Sequence, residues 1–489
     1  MSLRLTRLLA LAAALALAFT AGAQEKRLTL DDAIRLALER NKVIKVEAFG
    51  RPIARANYLA ALGHFDPAVN FSRSYAEAET PVTSNPVVTQ LGKTDNYGLT
   101  LDGLTPWGLT YSIGGTAVNN RTVITSFANS YSTFGGITVT QPLLRGFGFG
   151  ANLANLRIAR ADRSISEWDY RAAVINTTTN VIVAYNNLLL ARENLRVAEF
   201  SRSLAQQLLT ENEKRFKVGA MSEADVTQAR ARVALQVEAI LYADRAMHDA
   251  DNYLRKLLGE DHFVTDGTPL DLEPLPPAAD TPINPAEDLQ KALNLRPDYQ
   301  AARLGIKKYE ANNSLARNQL LPRLDFVGSY GYAGLDRDFA ASRAQVRDQD
   351  NRAYSAGVVV SVPLTFTEGR GRARAARLTL RQADADLKRL ESDIALNVTA
   401  AAGQIETTRK RVTATKEAYE FAKQALDAEE KRLRAGTSNT LFVVNLQENL
   451  VEVENRHAAA LADARNAIAL YDREIGTTLE RNHINLAKE

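Results

Sequence analysis

The 489-residue sequence contains no cysteine. Disulfides, zinc–thiolate sites, iron–sulfur ligation, cysteine nucleophiles and acylation of an N-terminal cysteine are all excluded. Histidine is scarce: His64, His248, His262, His457 and His483 are too scattered to suggest a metal site, and no cofactor motif accompanies them. An excess of one charge sign is also missing, with 60 Lys and Arg against 57 Asp and Glu and a net charge of +3. Without residues 1–23, which hold Arg4 and Arg7 and no acid, the balance is +1. Such a balance gives no electrostatic footing for nucleic acid as a partner. Beyond residue 23 there is no run of 18 apolar residues, so no transmembrane helix is expected there.

Residues 1–23 read as a signal peptide. Arg4 and Arg7 precede the apolar stretch LLALAAALALAFTAGA, and Ala21-Gly22-Ala23 is an A-x-A cleavage motif. Cleavage is expected between Ala23 and Gln24. The apolar core of about 12 residues is well short of the roughly 20 that a retained membrane helix requires.

Proline is absent between residues 143 and 268 and after Pro363. Proline breaks helix interiors, so each gap can hold long unbroken helix. Residues 151–258 contain one glycine, Gly219, and residues 372–475 contain only Gly403 and Gly436. Gly219 and Gly436 read as helix-to-helix turns. The sequence therefore predicts long helices over 151–215 and 372–432, followed by helices over 221–258 and 438–475. At 1.5 Å per residue the long ones would extend roughly 90–100 Å.

These helices carry heptads. Val226, Val233, Ile240, Met247 and Leu254 recur every seven residues, with Ala229, Ala243, Ala250 and Leu257 in the second seam. Val181, Leu188 and Leu195 share a seam of the long helix, beside Ala184, Ala191, Ala198 and Ala205. Paired apolar seams repeating every 3.5 residues specify coiled-coil packing, and the glycine turns favour antiparallel hairpins over a parallel rod.

The two halves repeat each other. Glu213-Lys-Arg-Phe-Lys-Val-Gly219 recurs as Glu430-Lys-Arg-Leu-Arg-Ala-Gly436, and the same offset of 217 carries Gly259 onto Gly476. Gly136-Ile-Thr-Val-Thr-Gln-Pro142 matches Gly357-Val-Val-Val-Ser-Val-Pro363, and Pro67-Ala-Val-Asn-Phe71 matches Pro322-Arg-Leu-Asp-Phe326. A first repeat is expected over 24–260, a linker over 261–300, a second repeat over 285–476 with helices in 286–320, and a tail over 477–489.

Between the helices lie period-two runs. Strands are predicted near 66–79 and 131–142 in the first repeat, and over 323–334 and 353–363 in the second. Leu324, Phe326, Tyr330 and Tyr332 alternate with Asp325, Val327, Ser329 and Gly331. Runs of about 10 residues with one apolar face suit strands that cross a bilayer at a tilt. Two strands cannot form a stable sheet alone, so they must pair with the other half or with other copies. The first repeat has an additional hairpin over 95–117, turning at Leu104-Thr-Pro-Trp-Gly108, that either widens a barrel or folds over its mouth. Residues 335–352 are polar and charged and read as an outward loop.

With these features in order, the chain resembles the TolC family of outer membrane efflux proteins. The tip Arg215-Phe-Lys-Val-Gly219-Ala-Met-Ser-Glu-Ala-Asp225-Val226-Thr-Gln-Ala229-Arg230 is similar to that family's R-[FY]-x-V-G-x(5)-D-V-x-x-A-R pattern. Thr140-Gln-Pro-Leu-Leu-Arg-Gly146 resembles its exit from strand to long helix, and the likeness spans roughly residues 28–480. The resemblance implies an α+β membrane protein: a homotrimeric outer-membrane β-barrel continuous with an antiparallel α-helical coiled-coil tunnel reaching into the periplasm. It implies contact with outer membrane lipid, a periplasmic adaptor protein and an inner-membrane pump, with transport but no catalysis. Adaptor docking would fall at Arg215, Val218, Gly219, Ser222, Asp225, Arg432, Gly436 and Thr437.

The candidate pore constriction comprises Glu223, Asp225, Phe442 and Asn445. Family members often carry acidic residues at the second tip, where this sequence has Phe442 and Asn445. Two readings stay open: a hydrophobic and amide constriction, or Phe442 packed between helices. Asp225 reads either as part of a capping box with Ser222 or as a pore or adaptor contact. The competing function is an exported coiled-coil scaffold or adhesin, which would not need amphipathic strands.

Overall fold

The computed structural model describes residues 27–82, 88–260, 269–276, 282–435 and 437–486. The cleavage site Ala23/Gln24, the turn residue Gly436 and parts of the linker and tail lie outside the described residues. In chain order the first half contains α1 (Leu30–Arg40), α2 (Lys42–Ala48), α3 (Gly50–Leu62), β1 (Ala68–Val82), β2 (Val88–Leu104), β3 (Thr110–Thr122) and β4 (Tyr131–Pro142). It continues with α4 (Ala154–Lys217) and α5 (Glu223–Leu258). The second half contains α6 (Pro285–Leu295), α7 (Pro297–Gln319), β5 (Arg323–Asp336), α8 (Phe339–Arg347), β6 (Asn351–Ser361), α9 (Thr367–Arg434) and α10 (Thr440–Ile475). The chain divides into two compact units, one of Met1–Ala48, Tyr170–Pro297 and Glu391–Glu489, the other of Phe49–Asp169 and Asp298–Leu390.

The first unit is helical, and its seams are the predicted heptads. Val181, Ala184, Tyr185 and Leu188 of α4 are buried against Met247, Leu254 and Leu258 of α5 and Ala33, Ile34 and Ala37 of α1. Alanine in one seam removes bulk, so the backbones can approach closely. Towards the first turn, Leu209 of α4 packs on Val226 and Ala229 of α5. In the second hairpin Ala422, Leu426 and Leu433 of α9 enclose Val443 and Leu450 of α10. Arg196 of α4 reaches Glu454 of α10 at 2.7 Å, and Asn186 bonds Asn466 at 2.9 Å. Exposed ion pairs of this kind contribute about 0–1 kcal/mol each; the buried seams dominate.

Two of the polar side chains buried in this unit, Tyr185 and Asp288, have specific partners. The Tyr185 hydroxyl lies 2.8 Å from the carbonyls of both Leu28 and Glu273, and burial pushes its pKa up to about 12. Asp288 of α6 is buried, accepting bonds from Tyr471 Oη at 2.5 Å, Lys291 Nζ at 2.8 Å and Asn284 N–H at 3.2 Å. Burial opposes its ionisation, but the bonds from Lys291, Tyr471 and Asn284 outweigh it and hold the carboxyl below its ordinary value.

A depressed carboxyl stabilises the fold above the unfolded-state pKa of about 4, and that contribution fades as pH falls through the lower folded value. Asp288→Asn should therefore cost about 1–3 kcal/mol at neutral pH and flatten the acid-dependent loss. Denaturant titrations between neutral and acidic pH check this; parallel pH profiles for both proteins would refute it.

The second unit contains one six-stranded antiparallel sheet in the order β1-β2-β3-β4-β5-β6. β4 pairs with β5, so the two halves of the chain complete one another's sheet. The additional hairpin lies inside it, with β2 and β3 between β1 and β4. Both strands outrun the predicted 95–117. The register brings Arg121 to Asp95 and Lys93 to Glu77, and these cross-strand ion pairs accompany the polar extensions.

The predicted outward loop 335–352 is only partly a loop. β5 runs to Asp336, and α8 follows with Asp338 as its N-cap, accepting the Ala341 N–H at 3.0 Å. Ser342 of α8 bonds the Tyr131 carbonyl at 3.0 Å and Thr133 Oγ1 at 2.8 Å. A Cβ on Gly135 or Gly334 would collide with Val346 or with the Ser342 carbonyl. The helix docks because those two positions lack side chains.

Candidate functional site

The two helical tips, 217 residues apart, share one closing backbone bond and differ in their caps. At the first, Gly219 adopts φ +75°, its N–H bonding Phe216 O at 2.9 Å, while Ala220 N–H reaches Arg215 O at 2.9 Å. A left-handed residue here lets the last helical carbonyls be satisfied. Ser222 then caps α5. Its Oγ accepts the Asp225 N–H at 3.2 Å, and the Asp225 carboxylate takes the Ser222 N–H at 3.3 Å and hydroxyl at 2.5 Å. The structure thus contains the capping box, which occupies the half-buried Asp225 carboxylate, while Glu223 is exposed.

At the second tip Ala435 N–H bonds Lys431 O and Thr437 N–H bonds Arg432 O, both at 3.0 Å. Asn439 replaces the serine cap, its Oδ1 accepting the Phe442 N–H at 3.1 Å. Phe442 therefore occupies the position of Asp225. With an amide as cap, the helix start forms without a carboxylate there. Phe442 is 56% exposed and Asn445, one turn on, is also exposed. Within the single chain, then, Phe442 is not packed between helices.

The basic residues of the tips are tied mainly to their own helices. Arg215 pairs with Glu211 at 3.0 Å, Arg432 with Glu429 at 3.3 Å and Lys431 with Asp427 at 2.5 Å. Val218 is 79% exposed. Two contacts bracing the turns escaped the sequence reading. Arg230 of α5 reaches back to Glu213 of α4 at 3.0 Å, and Ser438 bonds Glu429 across the second turn. For the first, opposite charges straddling a glycine turn were the available signal; the second, a serine hydroxyl on a carboxylate, carried none.

The sheet is the second element of the site. Its register sorts alternate residues onto two faces. One carries Val69, Phe71, Leu99, Leu101, Ile113, Ile137, Tyr330, Tyr354, Val358 and Val360, all at least partly exposed in the single chain. The other carries small and polar residues joined across strands: Asn70 to Asp102 at 2.6 Å, Asn96 to Ser74 at 3.1 Å and Ser329 to Ser355 at 2.7 Å. α8 covers one end of the apolar face, at Thr133, Gly135 and Gly334; the exposed remainder is of the extent that marks a membrane or protein contact. Among the described residues no helix is long and apolar enough to cross a membrane.

Comparison with known proteins gives the same architecture. The profile of the outer membrane efflux protein family matches residues 33–260 and 289–472. An outer membrane efflux protein, BepC, of Brucella suis is 25% identical over 335 residues, covering 67% of this chain and 69% of that protein. Among solved structures, the outer-membrane channel OprN superposes with a TM-score of 0.70 at 19% identity, over 91% of this chain and 89% of that one. The outer membrane protein VceC of Vibrio cholerae superposes at 0.68 and 18% identity, over 91% and 96%. Both likenesses concern the fold.

Proposed function

Because this chain belongs to the family of outer membrane efflux proteins, we propose that it is the outer-membrane channel of a tripartite efflux or type I secretion system. It works as a homotrimer, a passive exit duct that meets a periplasmic adaptor and an inner-membrane pump. The sheet sits in the outer membrane and the helical hairpins reach into the periplasm. No reaction is catalysed; the pump supplies the energy and this chain supplies a lined path.

The observation that carries the reading is the two-faced sheet with unsatisfied outer edges on β1 and β6. In lipid every backbone polar group needs a partner within protein, so strands span only as closed barrels. A single six-stranded sheet does not close a channel-sized barrel, so several copies must contribute to one wall. A scaffold or adhesin would have no use for an apolar face spread over six strands. Detergent-solubilised protein should have the mass of three chains and give discrete conductance steps in planar bilayers. A monomer that purifies without detergent and leaves bilayers electrically silent would overturn the proposal.

At the periplasmic end the exposed Phe442 and Asn445 form the narrowest ring, with adaptor contacts at Arg215, Val218, Gly219, Ser222, Asp225, Arg432, Gly436 and Thr437. A ring of phenyl and amide groups restricts passage by size and wetting rather than by charge. Glu223 and Asp225 belong to the first tip, where the carboxylate of Asp225 also serves the cap. Phe442→Ala and Asn445→Ala should each raise the conductance of the resting channel severalfold. Unchanged conductance in both would remove these residues from the gate.

A further inference from the structure

We propose that the hairpin β2–β3 is part of the membrane wall itself, so that each copy contributes six strands and β6 of one copy pairs with β1 of a second. With three copies the wall closes at about 18 strands, a number at which barrels enclose an open aqueous channel. The inference rests on the trimeric-channel reading above and adds the composition and width of its wall.

Four observations carry it. First, β2 and β3 are paired along their length to β1 and β4, so removing them from the wall would open two ladders at once. Second, they have the span: 17 and 13 residues against the roughly 9–11 that a tilted strand needs to cross a bilayer. Third, both faces of the sheet run through them without interruption. On the apolar side Ile113 stands between Leu101 and Ile137, and on the polar side Ser112 stands between Asp102 and Thr138. A hairpin folded over the mouth would have no apolar face in line with its neighbours. Fourth, the turn between the two strands is fastened at the helical end. Gly148 N–H bonds Trp107 O at 2.9 Å, and a Cβ on Gly108 would strike the Gly146 carbonyl.

The edges suit each other. Six is even and all neighbours are antiparallel, so β6 of one copy meets β1 of the next in antiparallel sense, and the pattern repeats indefinitely. Odd numbers would place two parallel strands together at each junction. Val69 and Phe71 on β1 and Val358 and Val360 on β6 are each at least 60% exposed, and joining the edges makes the apolar face continuous around the ring. Lipid leaves no alternative partner for the edge amides and carbonyls.

The absence of native cysteine makes the test direct, because each introduced thiol reports alone. Single variants Leu99→Cys and Thr100→Cys on β2, Ile113→Cys and Ser112→Cys on β3, and Tyr330→Cys and Ser329→Cys on β5 are assembled in vesicles. They are then treated with a charged or a lipid-soluble maleimide. Thr100→Cys and Ser112→Cys should react with the charged reagent faster than Leu99→Cys and Ile113→Cys by an order of magnitude or more, as Ser329→Cys does against Tyr330→Cys.

Alternation on β5 with none on β2 and β3 would overturn the six-strand wall and leave the channel reading standing. Loss of alternation on β5 as well would defeat both. For the junction, hydrogen exchange of the assembled wild type should show β1 and β6 amides protected like those of β3 and β4. Edge amides exchanging orders of magnitude faster would refute the β6–β1 pairing.

Discussion

An arginine at Ile137 is expected to abolish membrane assembly, whereas an arginine one residue later, at Thr138, should leave assembly intact. Ile137 lies between Ile113 and Tyr330, on the apolar side of the sheet. A charge on the lipid side of a barrel costs about 2–4 kcal/mol at the bilayer midplane, and every copy in the ring bears it. Thr138 faces the polar side between Ser112 and Ser329, where a guanidinium stays hydrated. Thr138→Arg should instead shift the channel towards anion selectivity. Heat-resistant oligomer on gels and reversal potentials in asymmetric salt report the two effects. Comparable assembly of both variants would mean that the faces have been assigned wrongly, and the six-strand wall would fall with them.

A comparable loss is expected at Gly259 and not at Gly219, although both glycines close a long helix in the left-handed region. Gly259 has φ +81° and Gly219 φ +75°. An alanine pays the left-handed penalty of about 1–2 kcal/mol at either position. Around Gly219 a Cβ would meet nothing, but at Gly259 it would lie 2.5 Å from the Arg40 carbonyl oxygen and 2.6 Å from its carbon. Backbone cannot swing aside as a side chain can, and α1 is further bound there by Asn41 Nδ2 donating to Leu257 O at 2.7 Å. Gly259→Ala should therefore cost about 3 kcal/mol or more, and Gly219→Ala about 1 kcal/mol. Denaturant midpoints compare them; equal losses would show that the contact with α1 is slack.

The helical tips were the most legible part of the candidate site. Capping is a matter between residues three or four apart, so Ser222 with Asp225 could be recognised before any packing was known. The same local logic left Phe442 ambiguous. Its N–H is engaged by Asn439, but whether its ring was buried depended on α9 and on the exposure that the fold gave it. Seams were similarly readable, because the seven-residue period of Val226 to Leu254 is a property of one helix. Which helix lay opposite was not: the burial of Ala33, Ile34 and Ala37 against α4 and α5 joins segments about 150–220 residues apart.

The sheet divides the same way. Alternation over residues 95–117 announced two strands, but alternation says nothing about neighbours. Their polar ends, 88–94 and 118–122, lack the apolar period and became strand because a partner was there to take the backbone bonds and to set Arg121 against Asp95. α8 was hidden for the opposite reason. Its charges, Arg343 and Arg347 among them, masked a short helix capped by Asp338. It stays in place because Gly135 and Gly334, distant in sequence, leave room for it.

What the sequence determined by itself was everything set by short-range chemistry: unbroken helices where proline is absent, the turn at Gly219, caps, heptad seams, two-faced strands and the doubling of the long helices. Tertiary structure alone decided that β4 joins β5, that the additional hairpin enters the sheet, and that α8 lies on it. The first and last turn on backbone hydrogen bonds and close approaches between residues about 200 apart, and the second on ladders whose partners lie 6–34 residues away in the chain. Such contacts form only once the chain has brought both partners together, and no periodicity within either partner records them.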